Sequence, residues 1–154
     1  MEDKTNPSNL IGYIGDNYIL LLELSFGGDS FVYKVEEKST HKIFAAKIAK
    51  DNINNLKNEI RILKILKENN YKNIINLIDS GEDIIKKIGE KEEKKNYLIL
   101  ELGSHHDISE YIRYNHQGFK ESHSKVLFFK MVKCIQTIHE LGICHRDIKL
   151  DNFL

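Results

Sequence analysis

An α+β fold is predicted for these 154 residues, and three observations predict it. Short runs rich in Val, Ile, Leu, Phe and Tyr recur with turn residues between them. One stripe of helical period interrupts those runs. From Asp107 onward the pattern turns mostly helical. The architecture implied is a five-stranded antiparallel sheet with one helix, followed by the first helices of a helical region.

Taken in order, Met1 to Asn9 is polar and holds the only proline, and it opens a tail expected over residues 1–17. "YILLLEL" (Tyr18–Leu24) and "FVYKVEE" (Phe31–Glu37) read as strands joined by the turn "SFGGDS". "KIFAAKIAK" (Lys42–Lys50) is the third, and short links make an antiparallel meander the simplest topology. Asn54 to Glu68 is a helix, because Leu56, Ile60, Leu63 and Leu66 recur at three- and four-residue steps. "NIINLIDSG" and "NYLILEL" supply two more strands, with the mixed Glu/Lys run Glu82–Lys95 expected as a solvated hairpin loop between them. Asp107 to Tyr114 is a short helix that Asp107 can cap. Ser122 to Leu141 is a long helix stopped by Gly142.

Charge narrows the function classes. Lys plus Arg and Asp plus Glu balance at 23 each, so no net field draws the chain to nucleic acid or to an anionic membrane. Cys134 and Cys144 make no disulfide framework and point to a reducing compartment. His139, Cys144 and His145 lie close in sequence but lack further ligands at zinc spacing, so a small buried thiol beside a helix end is the better reading. "ILLL" (Ile19–Leu22) is too short for a membrane span or a signal core. An intracellular, cytoplasmic protein is expected, with the nucleus open to it.

Three stretches carry chemistry. Glu59 falls within the apolar stripe of its helix, and a carboxylate facing a core needs a cation. Lys47, flanked by Ala45, Ala46 and Ile48, is the candidate partner. "LSFGGDSFV" (Leu24–Val32) is a strand–turn–strand whose glycines let backbone N–H groups approach a phosphate. "HRDIKLDN" groups a carboxylate (Asp147), an ammonium (Lys149) and an amide oxygen (Asn152) just after a helix stop. These suit proton acceptance, phosphate neutralisation and binding of a hard cation such as Mg²⁺.

In this combination the residues resemble the eukaryotic protein kinase family, of Ser/Thr type. "HRDIKLDN" is similar to its catalytic loop, "FAAK" to the strand bearing its phosphate-binding lysine, and Glu59 to that lysine's helix partner. The resemblance spans Tyr18–Leu154 and implies a role for each matching residue. Asp147 would be the catalytic base and Lys149 would sit on the transferring phosphate. Asn152 would hold Mg²⁺, and Lys47, locked by Glu59, would contact the α- and β-phosphates of ATP. Leu24, Val32, Ala45 and Leu154 would sandwich the adenine. "LELG" resembles the hinge, with Leu100 as gatekeeper and the backbone of Glu101 and Gly103 facing the adenine edge. Asp107 matches the ribose position, and His145 and Leu63 resemble members of the hydrophobic spine.

Two departures stand out. Ser25 and Ser30 replace the first and third glycines of the phosphate loop, leaving Gly27 and an extra Gly28. The family's Asp-Phe-Gly metal site, activation loop and remaining helical lobe are not found within residues 1–154. The resemblance therefore implies a tail (1–17) and a partial kinase domain (18–154): a sheet lobe with the hinge start over 18–102, and the hinge end with the start of a truncated helical lobe over 103–154. The activity implied is transfer of the ATP γ-phosphate to a Ser or Thr hydroxyl of a protein substrate. Neither nucleic acid nor membrane is an expected partner, and residues 1–154 alone are expected to be inactive. The alternative is a nucleotide- or partner-binding module that transfers no phosphate. A small-molecule phosphotransferase is disfavoured by Arg146 and Lys149 in the loop.

Overall fold

Strand pairing organises the first part of the chain in the computed structural model, which describes residues 10–26, 30–50, 54–69, 71, 73–103, 107–115 and 118–154. The strands are β1 (Gly12–Ile14), β2 (Tyr18–Phe26), β3 (Ser30–Glu37), β4 (Ile43–Ala49), β5 (Leu77–Lys87) and β6 (Glu93–Glu101). Helix α1 (Asn54–Glu68) lies between β4 and β5 in sequence. Every pairing is antiparallel, and the sheet closes into a barrel in the order β1-β2-β3-β4-β6-β5. Contacts divide the chain into two units, Met1–Leu102 and Gly103–Leu154.

The sheet has six strands where five were expected. Residues 12–14, assigned above to the tail, form β1, which pairs Ile14 with Tyr18 on one side and with Ile85 on the other. Three residues are too few for alternation to show in sequence. Ile14 is nonetheless 1% exposed and belongs to the core. At residue 12 the backbones come so close that a Cβ would lie 2.1 Å from the carbonyl oxygen of Lys86, which only glycine allows.

The Glu82–Lys95 run is also not the loop expected. Both strands continue through most of it, and the turn shrinks to residues 88–92. Charged residues persist in these strands because Lys94 pairs with Glu82 and Lys86 with Glu92 on the solvated face, while Ile85 alternates inward.

Alternation then sorts the central strands onto two faces. Tyr33, Val35, Ala46, Ile48, Tyr97 and Ile99 fill the barrel interior together with Ile14, Tyr18, Leu20 and Ile85. Val32, Ala45, Lys47, Leu98 and Leu100 are one residue out of step and take the outer face. Helix α1 contacts β5 and β6 and buries Leu56, Leu63 and Leu66.

A polar knot lies among the strands. The hydroxyls of Tyr18 and Tyr97 both donate to Asp79 Oδ2, at 3.1 and 3.2 Å, and the backbone N–H of Ser80 donates to Asp79 Oδ1. Burial, and then the Asp79 carboxylate, push the Tyr97 hydroxyl up to about 12 and raise that of Tyr18 further.

The second unit holds α2 (Ile108–Tyr114), α3 (Glu121–Glu140) and a 3-10 turn (Leu150–Asn152). Asp107 caps α2 as expected, its Oδ1 accepting from the N–H of Glu110 at 2.7 Å. Gly142 ends the α3 segment in the left-handed region, φ 71°, where glycine is favoured. Phe128 and Phe129 on α3 are 67% and 62% exposed. Among the described residues no helix is long and apolar enough to cross a membrane.

Two outcomes follow. Gly12→Val should lower stability by about 2 kcal/mol or more, because neither backbone can retreat within a closed barrel; a melting temperature equal to that of the unaltered protein would contradict this. The tyrosine knot sets an alkaline limit. A hydroxyl whose folded pKa lies above its unfolded value stabilises fully below about pH 10 and loses that contribution as pH rises through its folded pKa. Stability should therefore fall from about pH 10 toward 12 and beyond, and the Tyr18→Phe, Tyr97→Phe double variant should flatten the decline in denaturant titrations across that range.

Candidate active site

Lys47 is placed by β4 on the outer face of the sheet, directly opposite Val32 of β3 and Leu98 of β6. Two residues along, Ala45 stands between Lys34 and Leu100. Cross-strand neighbours share a face, so Val32, Ala45, Lys47, Leu98 and Leu100 form two adjacent rows. The Lys47 ammonium donates to both oxygens of Glu59 on α1, at 2.7 and 2.9 Å. The pairing agrees with the sequence reading, but its setting differs. The two side chains are 30% and 36% exposed, so Glu59 sits at the edge of the helix stripe and not in a core. Outer-face placement keeps Lys47 away from the barrel interior.

Leu24, on β2 beside a register shift between Glu23 and Ser25, is exposed. Ser30 opens β3 opposite Ala49 and is buried. Gly27 and Gly28 lie outside the described residues. Glu101 ends β6. Its N–H donates to the carbonyl of Asn76 at 3.0 Å, and its side-chain Oε1 accepts from the N–H of Asn76 at 2.8 Å.

Two contributors escaped the sequence reading. Leu98 is fully buried beside Lys47, and the signal was present in its i−2 spacing from Leu100. The Asn76–Glu101 clasp joins residues 25 apart, and no local pattern announces it.

In the second unit, Asp147, Lys149 and Asn152 come within hydrogen-bonding distance. Asp147 Oδ2 accepts from the Lys149 ammonium at 2.9 Å and from Asn152 Nδ2 at 3.2 Å, while Asn152 Nδ2 also donates to the carbonyl of Asp147 at 2.6 Å. The N–H of Asp147 donates to His145 Nδ1 at 3.3 Å. Between His145 and Asp147, Arg146 adopts φ 66°, a strain of about 1–3 kcal/mol for a non-glycine residue. The hydrogen bonds of Asn152 hold the loop in that shape. The Lys149 ammonium, and next the Asn152 amide, keep the Asp147 carboxyl below the usual carboxylate range, and Asp147 raises Lys149 in turn. Both are exposed, so a reacting group can reach them.

Among the described residues no group of three or more His, Cys, Asp or Glu side chains converges on a metal site, and what this loop offers a hard cation is one amide oxygen. Because the Asn152 nitrogen is committed to Asp147, its side-chain oxygen is the atom available to a metal, the chemistry Mg²⁺ prefers. Elsewhere in this unit Gly103 and Asp107 are half-buried, Leu154 is exposed, and the N–H of Ile108 donates to the carbonyl of Phe153 at 3.0 Å, tying α2 to the end of the loop. Leu63 is buried on α1 and His145 is exposed.

Comparison with known proteins converges on one family. The protein kinase domain model matches residues 18–154. The serine/threonine-protein kinase MPS1 of Saccharomyces cerevisiae is 31% identical, the match covering 97% of this chain and 19% of that protein. The DNA damage response protein kinase DUN1 of the same yeast is 31% identical over 99% of this chain and 29% of its own length. The probable serine/threonine-protein kinase fhkA of Dictyostelium discoideum is 29% identical over 90% of this chain and 23% of its length. The chain thus spans less than a third of the length of these relatives. With the family model matched from Tyr18 through the loop that holds Asp147 and Asn152, the chain belongs to the protein kinase family.

Proposed function

We propose that this protein takes part in transfer of the γ-phosphoryl group of ATP to a serine or threonine hydroxyl of a protein substrate. The observation that carries the reading is the "HRDIKLDN" loop, in which an exposed, ionised Asp147 is flanked by Lys149 and oriented by Asn152. Asp147 would accept a hydrogen bond from the substrate hydroxyl and take its proton as the bond to phosphorus forms. Lys149 would lie against the transferring phosphoryl group. Lys47, its ammonium held by Glu59, would neutralise the α- and β-phosphates. Leu24, Val32 and Ala45 would contact the adenine, under the gatekeeper Leu100, with the backbone of Glu101 and Gly103 on its edge and Asp107 on the ribose. Gly27, Gly28 and Ser30 would border the phosphates. Mg²⁺, when bound, would neutralise charge that develops across the phosphates, with Asn152 as one of its ligands. The names of the relatives support Ser and Thr as acceptors. Cys134 and Cys144 form no disulfide, which fits a reducing, intracellular setting, and Cys144 is exposed where a buried thiol was expected.

Residues 1–154 contain no Asp-Phe-Gly triplet, so the second metal ligand the family uses is not among them. Assayed alone, they are expected to bind ATP weakly and to show no measurable transfer to a generic Ser/Thr substrate. Asp147-dependent turnover by this polypeptide would refute that expectation. In a polypeptide that also carries the Asp-Phe-Gly segment and its helical lobe, Asp147→Ala should lower transfer by about a hundredfold or more; an unchanged rate would remove Asp147 from the mechanism. Lys47→Met should weaken ATP binding at least about tenfold in calorimetric titration. Its effect on stability should stay under about 1 kcal/mol, because the pair with Glu59 is about a third exposed.

A further inference from the structure

We infer that Lys67 is a positioning residue for the Lys47–Glu59 pair, because it fixes how α1 is rolled against the sheet. The consequence for ATP rests on the nucleotide-site reading above, and the cause is strand and helix geometry. The β5–β6 ladder pairs Leu77 with Leu100 and then Asp79 with Ile99, so Ile78 is an extra residue, a β-bulge with no partner on β6. In an unbroken ladder Asp79 would stand opposite Leu98, on the outer face. The bulge turns it to the interior beside Ile99, where its carboxylate takes the hydroxyls of Tyr18 and Tyr97. Those bonds hold the bulge in place, and Ile78 itself packs against the core. The carbonyl of this extra residue accepts from Lys67 Nζ, in the last turn of α1, at 3.2 Å.

Helix α1 packs chiefly on β5 and β6, whereas Lys47 stands on β4. Leu56, Leu63 and Leu66 hold the helix down, but apolar contact is non-directional and permits a roll about the helix axis. A roll would carry Glu59 away from Lys47, and contacts of 2.7 and 2.9 Å leave little room for it. Lys67 lies eight residues on, about 12 Å along the axis and about 80° round it. Every residue from Glu59 to Lys67 belongs to one unbroken helix, so the two side chains turn together. With one turn bonded to β4 and the last bonded to β5, a roll must stretch a hydrogen bond. Lys67 touches neither Lys47 nor Glu59. It acts through the helix that carries Glu59.

The test uses zero-length carbodiimide cross-linking of the nucleotide-free protein, with the Lys47–Glu59 cross-link quantified by peptide mass spectrometry, beside calorimetric titration with ATP. Lys67→Met keeps the aliphatic stem and removes the donor, and should lower both cross-link yield and ATP affinity about threefold. Lys67→Arg keeps a cationic donor and should restore both. Lys64→Met removes an exposed charge from the same helix and should behave as the unaltered protein. Should Lys67→Met fail to fold, Lys67→Gln, too short to reach the carbonyl, is read in the same way. Unaltered cross-linking in the Met or Gln variant, failure of arginine to rescue, or an equal loss in Lys64→Met overturns the inference. If Lys47→Met leaves ATP binding intact, the nucleotide reading falls, while the cross-link still decides whether Lys67 positions the pair.

Discussion

Closure of the barrel by Gly12–Ile14 is the constraint on which the first unit depends. With β1 hydrogen-bonded to β2 and β5, every strand has a partner on each side. An open sheet can slip its register at an edge, and a slip of one residue exchanges its two faces. Here such a slip would send Lys47 into the interior and bring Ala46 and Ile48 outside. Fixing Ile14 against both Tyr18 and Ile85 fixes β5, β5 sets β6, and β6 sets β4, so that Lys47 falls opposite Leu98. Glycine at 12 makes this possible, because no side chain could fit between β1 and Lys86.

The stabilising core and the exposed charged clusters are built from different residues. Inside the barrel an apolar cluster and a carboxylate shared by two tyrosines hold the sheet together. The Lys47–Glu59 pair, on the outer face, adds little stability at its exposure, and what it supplies is an ammonium held in one place. The cluster of Asp147, Lys149 and Asn152 follows the same division. Asp147, Lys149 and Asn152 are all exposed and bury nothing, and the loop that carries them keeps Arg146 in a strained conformation. Neither group of charges anchors the fold, which lets Lys47 and Asp147 be replaced to test function without dismantling it.

By itself, the sequence determined which residues carry charge and where the main elements lie. The α1 stripe, the Asp107 cap, the α3 span and the "HRDIKLDN" grouping are all local patterns, set by spacing within a few residues, and the structure contains each of them. The Lys47–Glu59 pair was also legible, because two opposite charges among apolar neighbours call for one another. Tertiary structure decided what depends on partners distant in sequence. Residues 12–14 become a strand only because β2 and β5 offer two ladders to a segment with no period of its own. The charged Glu82–Lys95 run is drawn into strands by the β5–β6 ladder and by the β1 contact, with the Lys94–Glu82 pair on the solvated face. Whether Lys47 faces the barrel interior or the outer face was settled by a register that spans four strands. Spacing along one chain cannot encode that register, because it follows from closing the ring.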